Sequence, residues 1–489
     1  MAARPVAPSG IRQCFLVDIC NCQKRFPAYD APAMTAAPKK ADRNPFRRYG
    51  AYVLDLKHLA QKSCSADDWN SNVIAALNGQ ANVELRRVAS LKARRRFGAF
   101  FTGTDLSSRL IARASFDKTS VFCDASCGMG DLLLAAAKKL PLGKTLPETL
   151  RQWGQQLTGT DLHHEFVEGA RTRLVLLARQ RHKTDEPLKS SYAKFFPHIR
   201  VADGLKQRAM FKRATHLLLN PPFGLVKAAA GCKWAGGRIT EAAIFVVTAL
   251  ERVMPGTEIL AILPDVLRSG SFSQHWRNCV SELAEVHLIE PYGIFDDSAD
   301  VDVFLLRLIR KGKDEFKQKK PWPGPRITRD TTVADYFNVH VGRVVPYRDK
   351  KAGQRYAYIH PRCVPTWTVL TSFTEKRKHK GLAYKPPFVV IRRTSRPGDT
   401  YRATATVVNG KSPIAVENHL IVCEPKDGKL ATCKKLMNQL KTSTVNDFLN
   451  KRIRCRHLTV EAAGAIPFQP TYRSTVSPRF HCTWRCRRQ

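Results

Sequence analysis

Four polar side chains, each at the end of a short apolar run, are the residues of this sequence best placed to do chemistry. The runs and their last residues are SVFCD with Asp124, QLTGTD with Asp161, HIRVAD with Asp203 and THLLLN with Asn220. In open α/β sheets, ligands lie beyond the carboxyl ends of the strands. The pattern therefore predicts one crevice in which carboxylate and amide oxygens meet a ligand. Asp161 can also cap the helix predicted to start at Leu162, alongside a role in binding, and for Asp203 taken alone a turn before Gly204 is the simpler interpretation.

The segment 220–224, NPPFG, ends its strand abruptly. Pro221 and Pro222 lack the N–H that a sheet ladder needs, so the strand cannot continue through them. Proline and glycine also punctuate many ordinary turns, and a turn without function is the alternative. The rest of the sequence must decide whether this amide, two rigid prolines and an aromatic ring form a functional site or an ordinary turn.

The loop 124–131, DASCGMGD, contains two glycines that let the backbone bend and approach a ligand closely. The fingerprint of a nicotinamide-dinucleotide site needs a third glycine, but Leu133 stands at that position. The loop alone is therefore a weak signal, and it disfavours a dinucleotide.

The elements that must position these residues alternate regularly from residue 120 onward. The predicted strands are 120–124, 156–161, 198–203, 215–220, 257–264, 284–290 and 302–310. Helical patterns separate most of them: DLLLAAAKKL, HHEFVEGARTRLVLLARQR, TEAAIFVVTALERV and FSQHWRNCVSEL. Strands that alternate with helices predict a parallel, doubly wound sheet. The last two strands are joined without a helix, which predicts an antiparallel pair at the edge.

The charge balance indicates a polyanionic partner. The chain of 489 residues carries 81 Lys and Arg against 41 Asp and Glu, a net charge of +40, with 43% hydrophobic residues. Such an excess in a chain that also has a core favours nucleic acid. An anionic membrane surface is disfavoured because no basic amphipathic helix is prominent. No apolar run reaches the length of about 18 residues that predicts a spanning helix.

The 14 cysteines predict reduced thiols rather than a disulfide framework, because the N-terminus does not resemble a secretory signal. Their spacing gives no pair of CxxC knuckles. Cys123 and Cys127 flank Asp124 and fit buried or loop thiols better than metal ligands. No metal site is predicted.

Composition divides the chain into five predicted parts. They are a disordered basic leader (1–48), a domain of N-terminal helices and the doubly wound sheet (49–313), a linker (314–326), a second, mainly β or α+β domain (327–470) and a basic tail (471–489). Met34 is an alternative start within the leader. Ser65 is the predicted cap of an early helix, and one late helix is predicted over 430–451.

Five segments resemble, in their order, the motifs of N6-adenine DNA methyltransferases of the restriction-modification type. They are FGAFFTG (97–103), DASCGMGDLL (124–133), GTD (159–161), ADG (202–204) and NPPFG (220–224). This order is that of the class in which the cofactor motif precedes an NPP[YF] motif and a target-recognition domain follows. The resemblance covers roughly residues 50–470. Beyond Lys311 it is looser, carried by IRRTS (391–395), NHL (418–420) and LTVEAAGAIPF (458–468). Ala125 and Gly103 depart from it, because relatives usually have proline there.

The resemblance implies S-adenosylmethionine as methyl donor, bound by a Rossmann-like seven-stranded methyltransferase sheet with a C-terminal target-recognition domain. The implied cofactor-binding residues are Phe100 and Thr102 at the methionine end, Asp124, Cys127, Gly128 and Gly130 in the amino-acid loop, Asp161 at the ribose and Asp203 at the cofactor's adenine.

The resemblance also implies a role for the NPPF segment. The exocyclic amine of adenine is a poor nucleophile, because its lone pair is delocalised into the ring. The Asn220 oxygen and the Pro221 carbonyl, fixed by Pro222, would accept its two hydrogens, and Phe223 would stack on the base. The methyl group would then pass directly to nitrogen, with no metal and no covalent nucleophile. Double-stranded DNA is the implied partner, and the base must be flipped out of it.

Other interpretations stay open. Glutamine methyltransferases that act on release factors, and some RNA methyltransferases, carry similar NPPY-type loops, usually without a large C-terminal domain. A catalytically inactive DNA-binding module is disfavoured by the intact motifs. A fused nuclease is not evident, but a separately encoded restriction endonuclease is compatible with the sequence. The expected location is the bacterial cytoplasm, in association with DNA.

Two groups of basic residues are candidates for DNA contacts. Residues 92–96, KARRR, end a predicted helix and would contact phosphate or form a solvated helix face. Arg392, Arg393 and His419 form the second group, although exposed arginine is more often simply solvated.

Overall fold

The computed structural model describes residues 46–61, 66–184, 191–229, 232–296, 300–312, 322 and 331–469. The predicted leader, the Ser65 cap, most of the linker and the basic tail therefore lie outside the described residues. No helix among the described residues is long and apolar enough to cross a membrane.

Seventeen α-helices and seventeen strands are described. The helices are α1 Tyr49–Gln61, α2 Ala66–Leu77, α3 Gln80–Val88, α4 Leu91–Phe97, α5 Thr104–Ile111, α6 Asp131–Ala137, α7 Leu146–Gln156, α8 His164–His182, α9 Tyr192–Phe195, α10 Arg208–Arg213, α11 Glu241–Arg252, α12 Asp265–Ser269, α13 Gln274–Leu283, α14 Val333–Tyr336, α15 Leu430–Gln439, α16 Ser443–Arg452 and α17 Val460–Gly464. The strands are β1 Phe122–Asp124, β2 Leu157–Asp161, β3 Ile199–Val201, β4 His216–Leu219, β5 Leu225–Lys227, β6 Arg238–Thr240, β7 Glu258–Pro264, β8 Ala284–Ile294, β9 Asp302–Arg310, β10 Phe337–Val341, β11 Gln354–Ile359, β12 Val369–Leu370, β13 Lys376–His379, β14 Phe388–Arg392, β15 Ala405–Val408, β16 Ile414–Val416 and β17 Leu420–Pro425.

The central sheet has seven strands in the order β3-β2-β1-β4-β7-β9-β8. Neighbours from β3 to β7 pair in parallel, whereas β9 pairs antiparallel with both β7 and β8. Six parallel strands and one reversed strand confirm the predicted architecture. The sheet also confirms the predicted position of every one of these strands to within a few residues.

The inner strands β1, β4 and β7 are buried along their whole length because both of their faces are covered, whereas the edge strands β3 and β8 are partly exposed. In β4, Leu218 packs into one core with α6 and α8, while Leu217 and Leu219 face a second core with α11 and α13. This alternation is the two-residue period of a strand. The N-terminal helices α1 to α3 join the first core, where Tyr49 donates to the Ala81 carbonyl at 2.8 Å.

The C-terminal β-rich region contains a five-stranded sheet, β10-β17-β14-β15-β12, and a three-stranded sheet, β13-β11-β16. Helices α15 and α16 cover the larger sheet. The prediction of a single helix over 430–451 is wrong, because Thr442 leaves helical geometry at φ −82°, ψ 148° and its side chain accepts a hydrogen bond from the Val445 N–H. That cap ends one helix and begins the next.

Candidate active site

A cavity of about 570 Å³ opens at the carboxyl ends of β1, β2, β3 and β4. The predicted site residues that line it are Phe100, Thr102, Asp124, Cys127, Gly128, Asp161, Asp203, Asn220 and Pro222. Gly130, Pro221 and Phe223 stand beside lining residues in the chain but do not themselves line it. The four strand-end polar groups therefore do meet around one space.

Asp161 fixes the glycine loop against the end of β2. Its two carboxylate oxygens accept hydrogen bonds from the Gly128 N–H at 3.0 Å and the His163 N–H at 2.9 Å. Gly128 has φ 51°, and a Cβ there would lie 3.0 Å from the Phe101 ring. A larger residue would therefore be strained and would push the loop away from the 97–103 segment.

Asp124 is a buried carboxyl, only 2% exposed, at the end of β1. Burial raises its pKa to about 7, with smaller contributions in the same direction from the neighbouring Asp161 and Asp131 and an opposing one from the hydrogen bond of the Ser126 N–H. Burial also raises the pKa of Asp161. The cavity thus holds two carboxyl groups whose neutral form is favoured more than in water, and a cationic partner would favour their charged form.

Asp203 is held differently from the other two aspartates. It caps the short 3₁₀ helix Gly204–Lys206 by accepting from the Leu205 N–H at 3.1 Å, and the Lys206 ammonium lies 3.5 Å from its carboxylate. The turn interpretation is therefore correct for Asp203 as a local structure, although the residue also lines the cavity.

The Asn220 amide is oriented by Thr102. Its Nδ2 donates to the Thr102 hydroxyl at 2.9 Å, which leaves Oδ1 as the atom that can accept from a ligand. The 97–103 segment also packs tightly on the NPPF segment, because a Cβ on Gly98, at φ 63°, would lie 2.5 Å from Pro222 Cβ. These two contacts hold the predicted catalytic and cofactor segments in a fixed relation.

Phe223 contacts a second aromatic ring that the sequence analysis missed. The ring of Phe295 lies 5.4 Å from that of Phe223 in an edge-on arrangement, at 73° between the planes. Phe295 follows β8 on the connection to β9, and its isolated position in the sequence gives no periodic signal.

Asp131 and Arg173 were also missed as part of the site. Asp131 accepts from the Gly103 N–H at 2.8 Å and from the Arg173 guanidinium at 2.8 Å. Asp131 stands at the first position of α6 in the quoted glycine loop, so the sequence did offer a signal for it. Arg173 lies in the middle of α8, where no local pattern marks it.

Basic side chains lie along the cavity wall. Arg96, Lys227 and Arg238 line it, the last two from the β5–β6 hairpin that follows the NPPF segment. Within 92–96, Arg94 is only 6% exposed and its guanidinium lies over the Phe100 ring at 5.4 Å, so it does not form a solvated helix face. Glu241 also lines the cavity, and burial raises its pKa.

The cysteines near the site are buried thiols. Burial raises the pKa of Cys123 to about 12 and places that of Cys127 well above its usual value, which favours the neutral form. Elsewhere, His360, Cys363 and Glu375 lie close enough to share a cation. Hydrogen bonds within this group, including His360 Nε2 to Glu375 at 2.9 Å, account for the arrangement.

The predicted DNA-contact residues of the C-terminal region make internal hydrogen bonds. Arg392 donates to the Val364 carbonyl at 3.1 Å and Arg393 to the Leu458 carbonyl at 3.3 Å. His419 pairs with Glu417 at 2.8 Å. Their contact with DNA stays a prediction.

The strand order, the reversed strand and the cavity at the strand ends define a Rossmann-like methyltransferase fold with an additional C-terminal β-rich region. No protein-family model and no curated protein matches the chain.

Three similar solved structures come from restriction-modification systems. The type IIL enzyme MmeI, solved with DNA, is 12% identical, with 77% of this chain and 69% of that chain covered and a TM-score of 0.46. The type IIG restriction endonuclease BpuSI is 14% identical, with 81% of this chain and 61% of that chain covered and a TM-score of 0.39. The M protein of the type I restriction enzyme EcoKI is 15% identical, with 56% of this chain and 64% of that chain covered and a TM-score of 0.32.

Proposed function

We propose that this chain transfers a methyl group from S-adenosylmethionine to the N6 amino group of adenine in DNA. Residues 49–313 would be the catalytic domain and 327–470 the target-recognition domain. The observation that supports this most is that Asn220 lines the same cavity as Asp124 and Asp161. Methyl transfer needs its donor and its acceptor side by side, and this cavity brings the Asp124 and Asp161 carboxylates together with the Asn220 amide.

The residues present fit S-adenosylmethionine. The cavity volume of about 570 Å³ suits a small molecule. Asp161 accepts two backbone hydrogen bonds and, with about four acceptor positions on a carboxylate, can also accept from ribose hydroxyls. Asp124 would attract the ammonium of the methionine moiety, and Asp203 would accept from the adenine amine. When bound, S-adenosylmethionine supplies an electrophilic methyl group.

The NPPF segment would prepare the acceptor amine. Asn220 Oδ1 and the Pro221 carbonyl would accept its two hydrogens and draw the nitrogen lone pair out of conjugation with the ring. Thr102 holds the amide in the orientation that this requires. The rings of Phe223 and Phe295 offer an aromatic surface next to these acceptors, on which a planar base can stack.

Duplex DNA fits the charge of the chain. A net charge of +40 provides the phosphate contacts that supply most of the affinity for DNA. The cavity takes a base only after it has left the helix, at a cost of about a few kcal/mol. Arg96, Lys227 and Arg238 at the cavity are suited to hold the flanking phosphates.

A methylation assay tests the proposal. Purified protein, labelled S-adenosylmethionine and unmethylated plasmid are expected to yield N6-methyladenine by nucleoside mass spectrometry. If the label appears in RNA or in a protein glutamine instead, the reaction is still methyl transfer but the substrate is not DNA. Binding of cofactor and DNA without transfer to any acceptor would reject the proposal and leave a DNA-binding module.

Cofactor affinity should depend on pH through Asp124. Burial holds its pKa at about 7 in the unbound protein, so the carboxylate that would attract the ammonium is lost as the pH falls through that value. We expect the dissociation constant measured by calorimetry to rise by about tenfold from about pH 8 to about pH 6. Asp161 titrates in the same direction.

The matched control for this prediction is Asp124→Asn, which should bind weakly with a much flatter pH profile. Wild-type affinity that is constant over this range would contradict the role given to Asp124.

The folding stability of the unbound protein should change with pH in the opposite direction to cofactor affinity. Because the pKa of Asp124 is raised in the folded state, its contribution to folding stability is lost as the pH rises toward 7.

A further inference from the structure

Residues 451–456 of the C-terminal region, here called the junction segment, are held from two sides by buried charged side chains. On one side Arg402, 0% exposed, donates to the carbonyls of Ile453 at 2.9 Å and Cys455 at 3.1 Å. On the other side Asp265, 2% exposed, accepts from the backbone N–H of Arg454 at 2.9 Å.

Asp265 is the first residue of α12. It directly follows β7 of the central sheet, the neighbour of β4, the strand that precedes Asn220. Its carboxylate also accepts from Arg268 Nε at 2.6 Å, and Arg268 in turn donates to the Lys451 carbonyl at 3.1 Å. Two of the hydrogen bonds of this buried ion pair, from the Arg454 N–H and to the Lys451 carbonyl, come from the junction segment, so loss of the segment would leave the pair less well satisfied.

The junction segment also binds the last part of the connection between β8 and β9, at Asp300, and the first residue of β9, Asp302. Arg454 Nε donates to Asp302 at 2.6 Å, and Arg456 pairs with Asp300. On the other arm of the same connection, the Phe295 N–H donates to the Val301 carbonyl at 2.9 Å, and the Phe295 ring contacts Phe223. A continuous set of contacts therefore runs from the C-terminal region to the NPPF segment.

We propose that the junction segment and the β8–β9 connection form one positioning unit, which couples the C-terminal region to the Phe223 ring. Asp302 and Arg454 are then positioning residues, since neither lines the cavity and both act through Phe295. This inference rests on the proposed function, because the coupling matters for catalysis only if Phe223 meets the substrate. It implies that the C-terminal region, through the junction segment, keeps the Phe223 and Phe295 rings in place.

A purely structural joint between two regions is the alternative. Breaking such a joint would loosen the segments in direct contact and lower stability, without a specific effect on the NPPF segment. The two cases differ in how far from Asp302 a substitution at this residue makes amide hydrogen exchange faster. Hydrogen exchange can be measured without any substrate.

Asp302→Asn in the full-length protein is the first test. We expect faster amide exchange in peptides covering 216–224 and 284–296, an unchanged dissociation constant for S-adenosylmethionine, and kcat for DNA methylation lower by about 3- to 30-fold. Arg348→Ala removes a more exposed arginine–carboxylate pair, with Asp349 at 3.1 Å, away from the junction segment and should change none of these.

The charge exchange Asp302→Arg with Arg454→Asp gives the second test, and it should recover part of the kcat lost by Asp302→Arg alone. If amide hydrogen exchange becomes faster only within 443–460 and 300–310, and kcat is unchanged, the inference is overturned. If the wild-type protein methylates no DNA, the proposed function fails, while faster exchange at 216–224 in Asp302→Asn would still establish the coupling.

Discussion

Replacing Asn220 with alanine should lower kcat for adenine methylation by about 10²- to 10³-fold, the usual loss when one preorganised polar group is removed from a reacting centre. The methyl group of alanine cannot accept a hydrogen from the amine, so its lone pair stays delocalised into the ring. S-adenosylmethionine should bind with nearly wild-type affinity, because Asp161 and the 124–130 loop are untouched. Single-turnover kinetics and calorimetry measure the two quantities separately.

Asn220→Asp is the matched control for this prediction. A carboxylate keeps an acceptor of the same shape, and the Thr102 hydroxyl, which now accepts from the amide at 2.9 Å, can rotate and donate to it instead. We therefore expect Asn220→Asp to retain clearly more activity than Asn220→Ala. Equal activity in the alanine variant and the wild type would show that the amide oxygen has no part in the reaction.

The central sheet was predictable because its signals are local. Each strand is a short run rich in apolar residues, and most runs end at a polar or proline residue, as at Asn220, where the two following prolines lack the N–H groups that a ladder needs. The absence of a helix between the last two runs was enough to predict the reversed strand β9. The convergence of Asp124, Asp161 and Asn220 on one cavity follows from that topology alone.

Features that depend on contacts distant in sequence were not predictable in this way. Phe295 meets Phe223, and Asp265 meets Arg454, only after the chain has folded, so no spacing in the sequence links either pair. The break between α15 and α16 is a different case. Its signal was the local Thr442 cap, but a continuous apolar helical pattern on both sides outweighed it.

Arg173→Ala should be among the most destabilising single substitutions in the described part of the chain. Arg173 is 0% exposed and donates to the Ala76 carbonyl at 2.9 Å, the Met129 carbonyl at 2.6 Å and Asp131 at 2.8 Å. Its removal leaves a buried carboxylate and two carbonyls without their donor, which typically costs about 3–5 kcal/mol. Urea unfolding measures this loss in the free energy of unfolding.

Arg171→Ala is the control on the same helix. Its partly buried guanidinium pairs with Glu168 at 2.7 Å and donates to the Ile199 carbonyl, but Glu168 keeps a second partner in Lys57, also at 2.7 Å, so the loss should be smaller, about 1–2 kcal/mol. A loss below about 1 kcal/mol for Arg173→Ala would contradict the structural role given to Arg173.

The double variant Arg173→Met with Asp131→Leu separates stability from function. Replacing both partners of a buried ion pair with apolar residues of similar size often restores stability. The double variant should nevertheless bind S-adenosylmethionine more weakly than the wild type, because it lacks the Asp131 carboxylate. That carboxylate accepts from the Gly103 N–H at 2.8 Å and so holds the 97–103 segment at the cavity. Recovery of both properties in the double variant would mean that packing alone positions this segment, whereas recovery of stability alone would assign that task to the Asp131 carboxylate.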